Sequence, residues 1–152
     1  MGTKYKGNDS EVTSLNAYIS LLRASDTIAS QVGNLLNKNK LTMSQFGILE
    51  SLYYLGPMCQ KQLGSKILKS TANITTVIDN LEKRSLVARV RQKDDRRFIT
   101  VNLTDKGREY VSKIMPLHLS EIFKRMEILT IDERKNLYML CKKLGMSECH
   151  TN

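Results

Sequence analysis

Residues 86–103 read LVARVRQKDDRRFITVNL, two short apolar runs on either side of a charged centre. Between residues 86 and 91, the apolar Leu86, Ala88 and Val90 alternate with Val87, Arg89 and Arg91. This period of two is typical of a β-strand. The run from Phe98 to Leu103 reads as the returning strand. The stretch therefore predicts a β-hairpin with a charged tip at 92–97.

The hairpin tip is the most basic part of a basic chain. The 152 residues carry 24 Lys and Arg against 15 Asp and Glu, a net charge of +9, and residues 83–97 alone hold seven basic and two acidic residues. This balance favours a polyanionic partner, either nucleic acid or an anionic membrane. Arg96 and Arg97 suit a narrow minor groove, where the negative potential is enhanced, and Asp95 can hold Arg97 through a charge-assisted pair. A soluble turn with an ordinary ion pair is the alternative interpretation.

The segment before the hairpin has the pattern of a helix-turn-helix. Apolar residues from Ile74 to Leu81 recur at offsets of 0, 3, 4 and 7, which predicts one buried stripe on a helix that opens near residue 70. A short helix at about 59–67 precedes it, and only a few residues join the two. Such a short turn leaves the second helix free to enter a DNA major groove.

The exposed face of this second helix is rich in side chains that can hydrogen-bond to base edges and phosphates. An ordinary solvated face with helix-capping residues is the alternative. Together with the hairpin, the residues predicted to contact DNA are Ser70, Thr71, Asn73, Thr75, Thr76, Lys83, Arg91, Lys93, Asp95, Arg96 and Arg97.

Two helices are predicted upstream of this unit. A long helix at about 11–38 follows a possible cap at Ser10. The next helix opens with a capping box formed by Thr42 and Gln45 and is stopped by Gly56 and the proline after it.

Two more helices are predicted downstream. Thr104 opens a helix that runs to about residue 128 and bends at Pro116. The last helix, at about 131–144, begins with a capping box at Thr130 and stops at Gly145. The terminal helices offer much apolar surface, which predicts dimerisation; the alternative is that they pack within one subunit. The residues concerned are Val12, Leu15, Ile19, Leu22, Ile122, Phe123, Met126, Leu137 and Leu140.

The stretch DRRFITVNLTDKG, residues 95–107, resembles the signature of the multiple antibiotic resistance regulator (MarR) family, roughly DRRxxxVxLTxxG. Residues 74–83 resemble that family's recognition helix, although many members have a basic residue where Thr76 stands. The resemblance covers about 10–145 and implies a mainly α fold with a small β-hairpin wing, a winged helix-turn-helix, in an intertwined helical dimer. The expected organisation is a flexible tail at 1–9, a helical dimerisation region at 10–40 and 104–146, a winged helix-turn-helix lobe at 41–103, and a tail at 147–152.

The resemblance implies a sequence-specific regulator of transcription, most simply a repressor, that binds a pseudo-palindromic operator in double-stranded DNA as a homodimer. It also implies release from DNA by a small aromatic or phenolic effector. The cleft between the dimerisation helices and the DNA-binding lobe would hold the effector, with the side chains of Tyr18, Leu22, Phe46, Leu49, Tyr53 and Met115 as its lining. The alternative is that these are plain core residues.

Two other functions compete with this interpretation. The first is a thiol-based redox sensor. Its candidate sensor cysteine is Cys59, which lies near the start of a predicted helix and close to Lys61. Cys141 is expected in the core and Cys149 in the tail. The second competing function is a winged-helix module that binds other proteins and not DNA, and the basic wing argues against it.

The sequence gives no sign of an enzyme, a metal site or a cofactor. The three cysteines match no CxxC spacing, and no Gly-rich phosphate loop or nucleophile–base pattern is apparent. No apolar run approaches ~18 residues, and the N-terminal residues lack an apolar signal core. A cytoplasmic protein without a membrane partner is expected.

Overall fold

A computed structural model describes residues 2–67, 71–91 and 99–146, without the side chains of residues 71, 72 and 146. The elements follow the predicted order and confirm a mainly helical fold with a small hairpin. They are α1 (Asp9–Lys38), α2 (Met43–Leu55), β1 (Met58–Cys59), α3 (Gln60–Lys66), α4 (Thr71–Lys83), β2 (Val87–Arg91), β3 (Ile99–Leu103), α5 (Asp105–Met126) and α6 (Ile131–Met146).

The hairpin belongs to a three-stranded antiparallel sheet with the strand order β1-β3-β2. Strand β2 pairs with β3 in a register that sets Arg89 opposite Val101, as expected for a hairpin whose tip lies between them. Strand β1 was not predicted, because two residues are too few to show a period of two. It forms because the free edge of β3 is available to it, with Met58 opposite Val101.

Capping residues set the helix starts, with one correction. Helix α1 begins at Asp9 because the Asn8 side chain accepts a hydrogen bond from the backbone N–H of Glu11 and the Glu11 side chain accepts one from that of Asn8. The cap predicted at Ser10 is therefore wrong, since Ser10 lies inside the first turn. The capping boxes predicted at Thr42 and Thr130 are both present.

The two glycines predicted to end helices behave differently. Gly56 follows α2 with a φ of 79°, a conformation that an L side chain rarely adopts. Gly145 stays inside α6, which runs on to Met146, so the predicted stop there is wrong. A glycine ends a helix when it turns left-handed, and Gly145 does not have a positive φ. Helix α5 runs through Pro116 to Met126, and the bend predicted there stays a prediction.

The core lies between α2, α4, the sheet and the middle of α5. The stripe predicted on α4 is confirmed for Ile74, Ile78 and Leu81, all fully buried, with Val77 packed against them. The other buried apolar residues are Val32, Leu36, Leu41, Phe46, Ile48, Leu49, Leu52, Leu63, Leu86, Val87, Val101, Val111, Ile114 and Met115.

Residues 103–107, LTDKG, hold the segment that follows α4 (residues 84–86) against the start of α5. The Thr104 hydroxyl caps α5 by accepting from the Gly107 N–H (2.9 Å), and it donates to the Ser85 carbonyl oxygen at 2.7 Å. A Cβ atom on Gly107 would lie 1.9 Å from the Leu86 carbonyl oxygen. Glycine is therefore needed here because the backbone of the α4 exit passes directly over α5.

We expect Gly107→Ala to destabilise the protein by about 3 kcal/mol, which lowers the Tm of a chain of this size by about 6–12 °C. The obstacle is a backbone carbonyl, so relief requires the α4 exit to move. Thermal unfolding followed by circular dichroism measures the effect. Gly33→Ala is the matched control, because Gly33 lies within α1 and an added Cβ there meets no atom of the described residues within 4 Å. Equal Tm values for the two variants would contradict the close packing at Gly107.

The terminal helices leave large apolar side chains uncovered. Every residue of α6 from 131 to 145 is exposed, and an open groove of about 650 Å³ lies between α6 and α1. The exposed apolar residues of the three long helices are Tyr18, Leu21, Leu22, Leu117, Phe123, Ile131, Leu137, Tyr138, Met139, Leu140 and Leu144. Among the described residues, no helix combines the length and the apolar character needed to cross a bilayer.

Candidate nucleic-acid interface

Helix α4 presents a continuous polar face to the outside, opposite its buried stripe. Its exposed residues are Asn73, Thr75, Thr76, Asn80 and Lys83. Hydroxyls, amides and an ammonium group can donate to phosphate oxygens or reach base edges. The predicted contact residues on the described part of α4 therefore all lie on one accessible face.

Helix α3 orients one of these groups. Gln60, the first residue of α3, donates its side-chain amide N–H to the hydroxyl oxygen of Thr75. A contact across the helix-turn-helix thus joins the two helices at the polar face. It restricts Thr75 to the orientation that this hydrogen bond allows.

The C-terminal end of α4 is anchored to the long helices through Arg84. The Arg84 guanidinium donates to the carbonyl oxygen of Lys40 (2.6 Å) and to the hydroxyl of Tyr110 (3.1 Å), and it lies 5.4 Å from the centre of the Tyr110 ring. The Tyr110 hydroxyl in turn donates to the carbonyl oxygen of Asn39. The recognition helix is thereby tied to the corner between α1 and α2 and to α5.

The wing strand is tied to the same helix by Arg89. Its guanidinium contacts Asp79 Oδ1 at 2.6 Å and Glu82 Oε2 at 2.5 Å, and its backbone N–H donates to Glu82 Oε1 at 3.0 Å. Burial alone would lower the pKa of Arg89, but the hydrogen bonds to Asp79 and Glu82 and their charges raise it. The side chain therefore stays protonated while it bridges β2 and α4. The sequence shows Arg89 only as one of several basic residues and gives no sign of this pairing.

Several predicted contact residues fall outside the described part of the chain. Arg91 is exposed at the end of β2. The side chain of Thr71 and the residues Ser70, Lys93, Asp95, Arg96 and Arg97 lie outside the described residues. Their roles stay predictions.

A cleft of about 350 Å³ lies between α2, the end of α3 and α5. His118 of α5 is only 7% exposed, and its Nδ1 atom has no hydrogen-bond partner among the residues that the structure describes. The His118 ring packs against Phe46, with the ring centres 4.4 Å apart. The cleft is lined by Met43, Ser44, Phe46, Gly47, Glu50, Ser51, Lys66, Ile67 and His118.

The surroundings of His118 favour its neutral form. Burial lowers the pKa of His118, because the charged imidazolium loses hydration there, and the nearby Glu50 opposes this shift. A neutral imidazole has one donor and one acceptor nitrogen. The unpartnered Nδ1 can therefore form a hydrogen bond with a polar group that enters the cleft.

The six residues predicted to line an effector pocket do not meet at one place in the single chain. Phe46 lines the cleft, whereas Leu49 and Met115 are buried in the core. Tyr18 and Leu22 are exposed on α1, and Tyr53 is half-buried with the Arg108 guanidinium 5.7 Å from its ring centre. The predicted set stays a prediction. His118 was missed, although a histidine three and four residues after Met115 and Ile114 lies on the apolar face of its helix.

The cysteines occupy two different settings. Cys59 is half-buried in β1, and its backbone N–H donates to the Gln62 side chain at 2.9 Å. Cys141, expected in the core, is exposed in the single chain, because α6 packs little of its surface against its own subunit. Cys149 lies outside the described residues. Within the described ranges, no group of three or more His, Cys, Asp or Glu residues could hold a metal ion.

Comparison with known proteins identifies the family. The MarR family model matches residues 41–99. The chain is 34% identical to the HTH-type transcriptional regulator YkoM of Bacillus subtilis over 144 residues, which cover 94% of each protein. The chain belongs to the MarR family. It is also 32% identical to the regulator MhqR of the same bacterium, over 88% of this chain and 92% of MhqR. The transcriptional repressor MprA of Escherichia coli is 29% identical over 71% of this chain and 66% of MprA.

Solved structures of the MarR family confirm the fold. AbsC, a MarR family transcriptional regulator from Streptomyces coelicolor, superposes with a TM-score of 0.82 at 23% identity, over 94% of this chain and 96% of AbsC. BpsR from Bordetella bronchiseptica, whose DNA binding is regulated by 6-hydroxynicotinic acid, gives a TM-score of 0.81 at 24% identity, over 95% and 100% of the two chains. This MarR-family chain is a DNA-binding transcriptional regulator with a winged helix-turn-helix, as its hairpin motif predicted.

Proposed function

We propose that this regulator is a homodimeric repressor that binds a pseudo-palindromic operator and leaves it when a small aromatic or phenolic ligand binds. The observation that carries the proposal is the polar face of α4, which stands open beside the basic wing strand. The polar face can form hydrogen bonds with base edges and phosphates, and the basic strand can attract the phosphate backbone. The description of MprA as a repressor supports the sign of regulation.

The uncovered surfaces of α1, α5 and α6 support the homodimer. Burying a large apolar side chain contributes about 1.5–3 kcal/mol, and these helices expose many such side chains around one groove. We assign a second copy of the chain to this groove, because a DNA-binding protein with twofold symmetry needs two subunits. In this assembly residues 10–40 and 104–146 form the dimerisation region and residues 41–103 form the DNA-binding lobe.

A twofold dimer brings two copies of α4 to one face of the DNA. The helices would read half-sites about one helical turn apart, roughly 34–36 Å. Asn73, Thr75, Thr76 and Lys83 contact the major groove or its phosphates, and the predicted wing arginines, Arg96 and Arg97, reach the adjacent minor groove. This action takes place where bacterial DNA lies, in the cytoplasm.

The cleft at His118 is the site that we assign to the effector. Its volume of about 350 Å³ falls in the range of small-molecule sites, and a cavity of about 150 Å³ suffices for benzene. A ligand hydroxyl can both donate and accept, so it matches His118 Nδ1 in either tautomer. Lys66 and Ile67 line the cleft at the end of α3, a few residues before α4 begins at Thr71, so an occupant that displaces them moves the recognition helix. The regulation of BpsR by 6-hydroxynicotinic acid supports this assignment.

Salt-dependent DNA binding tests the proposal. Between about 50 and 200 mM salt, the affinity of the wild-type protein for a DNA fragment selected from a random-sequence pool should fall roughly a thousandfold or more, because each phosphate contact releases counterions. Arg96→Ala with Arg97→Ala should weaken binding and reduce the slope by about one for each lost phosphate contact. Fluorescence anisotropy of labelled duplexes gives both values.

The matched control removes the same charge elsewhere. Lys4→Ala with Lys6→Ala changes two exposed cations of the N-terminal segment and should leave affinity and slope close to those of the wild type. Equal effects of the two double variants would show that only net charge matters. Salt-independent binding, or none, would contradict the proposed function and favour a protein-interaction module.

A further inference from the structure

The bridge formed by Arg89 differs from the other ion pairs that the structure describes. Lys113–Glu109 and Lys135–Asp132 each join neighbouring turns of one helix, with side chains that are 68–87% exposed, and such pairs contribute little. Arg89 instead connects a strand of the wing to the recognition helix, and its own side chain is 25% exposed. Its two arms and its backbone N–H reach two carboxylates at once.

The bridge closes an open strand edge. Strand β2 lies at the edge of the sheet that the described residues form, where its outer backbone N–H groups have no neighbouring strand to pair with. Glu82 accepts from the Arg89 N–H and from the guanidinium of the same residue. A guanidinium that is held at two points cannot rotate. The contacts of Arg89 therefore fix both the distance between β2 and α4 and the angle between them.

The bridge also neutralises charge at the DNA-binding face. Asp79 and Glu82 lie on α4 one turn apart, and they remain 44% and 38% exposed. Two carboxylates beside the exposed Asn80 and Lys83 would repel phosphate. With Arg89 between them, the net charge of this cluster is −1 instead of −2.

We infer that Arg89 is a positioning residue for DNA binding, one that holds the wing at a fixed angle to the recognition helix and shields the two carboxylates of that helix from the DNA. This inference rests on the proposed DNA-binding mode of the dimer. Arg89 acts through Asp79 and Glu82 and not by touching DNA. Its basic neighbour Arg91, exposed at the end of the same strand, is instead predicted to contact DNA directly.

Two variants separate positioning from direct contact. Arg89→Ala should weaken binding to the selected fragment by about tenfold to a hundredfold. Hydroxyl-radical footprinting should then show loss of minor-groove protection at the flanks, where the wings lie, while the major-groove segments under α4 stay protected. A general loss of stability would instead weaken protection over the whole site, so the footprint distinguishes the two.

Asp79→Ala with Glu82→Ala is the sharper variant, because it keeps Arg89 and makes each subunit more positive by two charges. If Arg89 only positions the wing, the flanking protection is lost here as well. If Arg89 contacts phosphate directly, releasing it should tighten binding and preserve the flanks, and that result would overturn the inference. Both alanines are good helix formers at half-exposed positions, so the variant is expected to fold.

Two further variants complete the series. Arg89→Lys keeps the charge but cannot span both carboxylates, so it should recover only part of the affinity and little of the flanking protection. Arg91→Ala should reduce the salt slope by about one per contact and leave the shape of the footprint unchanged. Wild-type protein that protects no DNA would contradict the proposed function itself, whereas normal wild-type protection that is unaltered in Arg89→Ala would overturn the positioning role alone.

Discussion

Leu140→Glu is expected to convert the protein to a monomer and to reduce its affinity for operator DNA by at least about a hundredfold. Leu140 is 65% exposed in the single chain and lines the groove between α1 and α6. In the proposed dimer this position is covered, and an unpaired carboxylate is costly to bury. A monomer also loses the gain from holding two half-sites at once, which is about 10²–10⁴-fold.

Size-exclusion chromatography with light scattering and anisotropy measure the two effects together. The control is Lys135→Glu, which introduces a glutamate on the side of α6 away from Leu140, where Lys135 pairs only with the exposed Asp132 among the described residues. It should remain dimeric and bind DNA. A dimeric Leu140→Glu protein with normal affinity would show that the groove is not the subunit interface.

His118→Phe is expected to weaken the release of DNA by phenolic compounds while leaving DNA binding intact. Phenylalanine keeps the aromatic contact with Phe46 but has no nitrogen to pair with a ligand hydroxyl. A hydrogen bond of this kind contributes about 1–3 kcal/mol when its loss leaves a polar group unpaired. The concentration of a phenol needed for half-release should therefore rise about 5–150-fold.

The ligands themselves supply a second comparison. A panel of phenols should be tested beside the benzene derivatives that lack the hydroxyl, which should release wild-type protein poorly. Cys59→Ser is the control variant and should respond as the wild type does, since Cys59 does not line the cleft. A normal phenol response in His118→Phe would contradict the effector site, whereas the loss of a response to oxidants in Cys59→Ser would favour the redox sensor.

Local patterns were enough to predict most of the fold. The helix from Thr71 was visible because its buried residues, Ile74, Ile78 and Leu81, repeat at helical spacing and the opposite face is polar. The hairpin could be predicted because apolar and polar residues alternate along its first strand. The helix caps at Thr42 and Thr130 could be predicted because a capping box involves two residues only three positions apart. Each of these signals depends on neighbours in the chain.

Features that depend on distant contacts were missed. Strand β1 exists because β3 has a free edge. The capping box of Asn8 and Glu11 is the exception, since it is a local pattern that was overlooked in favour of Ser10. The role of Gly107 follows from the path of the backbone at Leu86, twenty-one residues upstream. The cleft at His118 and the bridge at Arg89 each require elements that meet only in the folded chain. The candidate DNA-binding face could therefore be predicted from sequence, whereas the residues that hold its elements together could not.

Hydroxyl-radical footprinting of the wild-type protein on a fragment selected from a random-sequence pool tests the proposed DNA complex most directly. Two protected segments related by twofold symmetry, with centres about 10–10.5 base pairs apart and flanking minor-groove protection, are the predicted result. A single asymmetric segment, or protection without regular spacing, would contradict a symmetric dimer that reads DNA with paired recognition helices and wings.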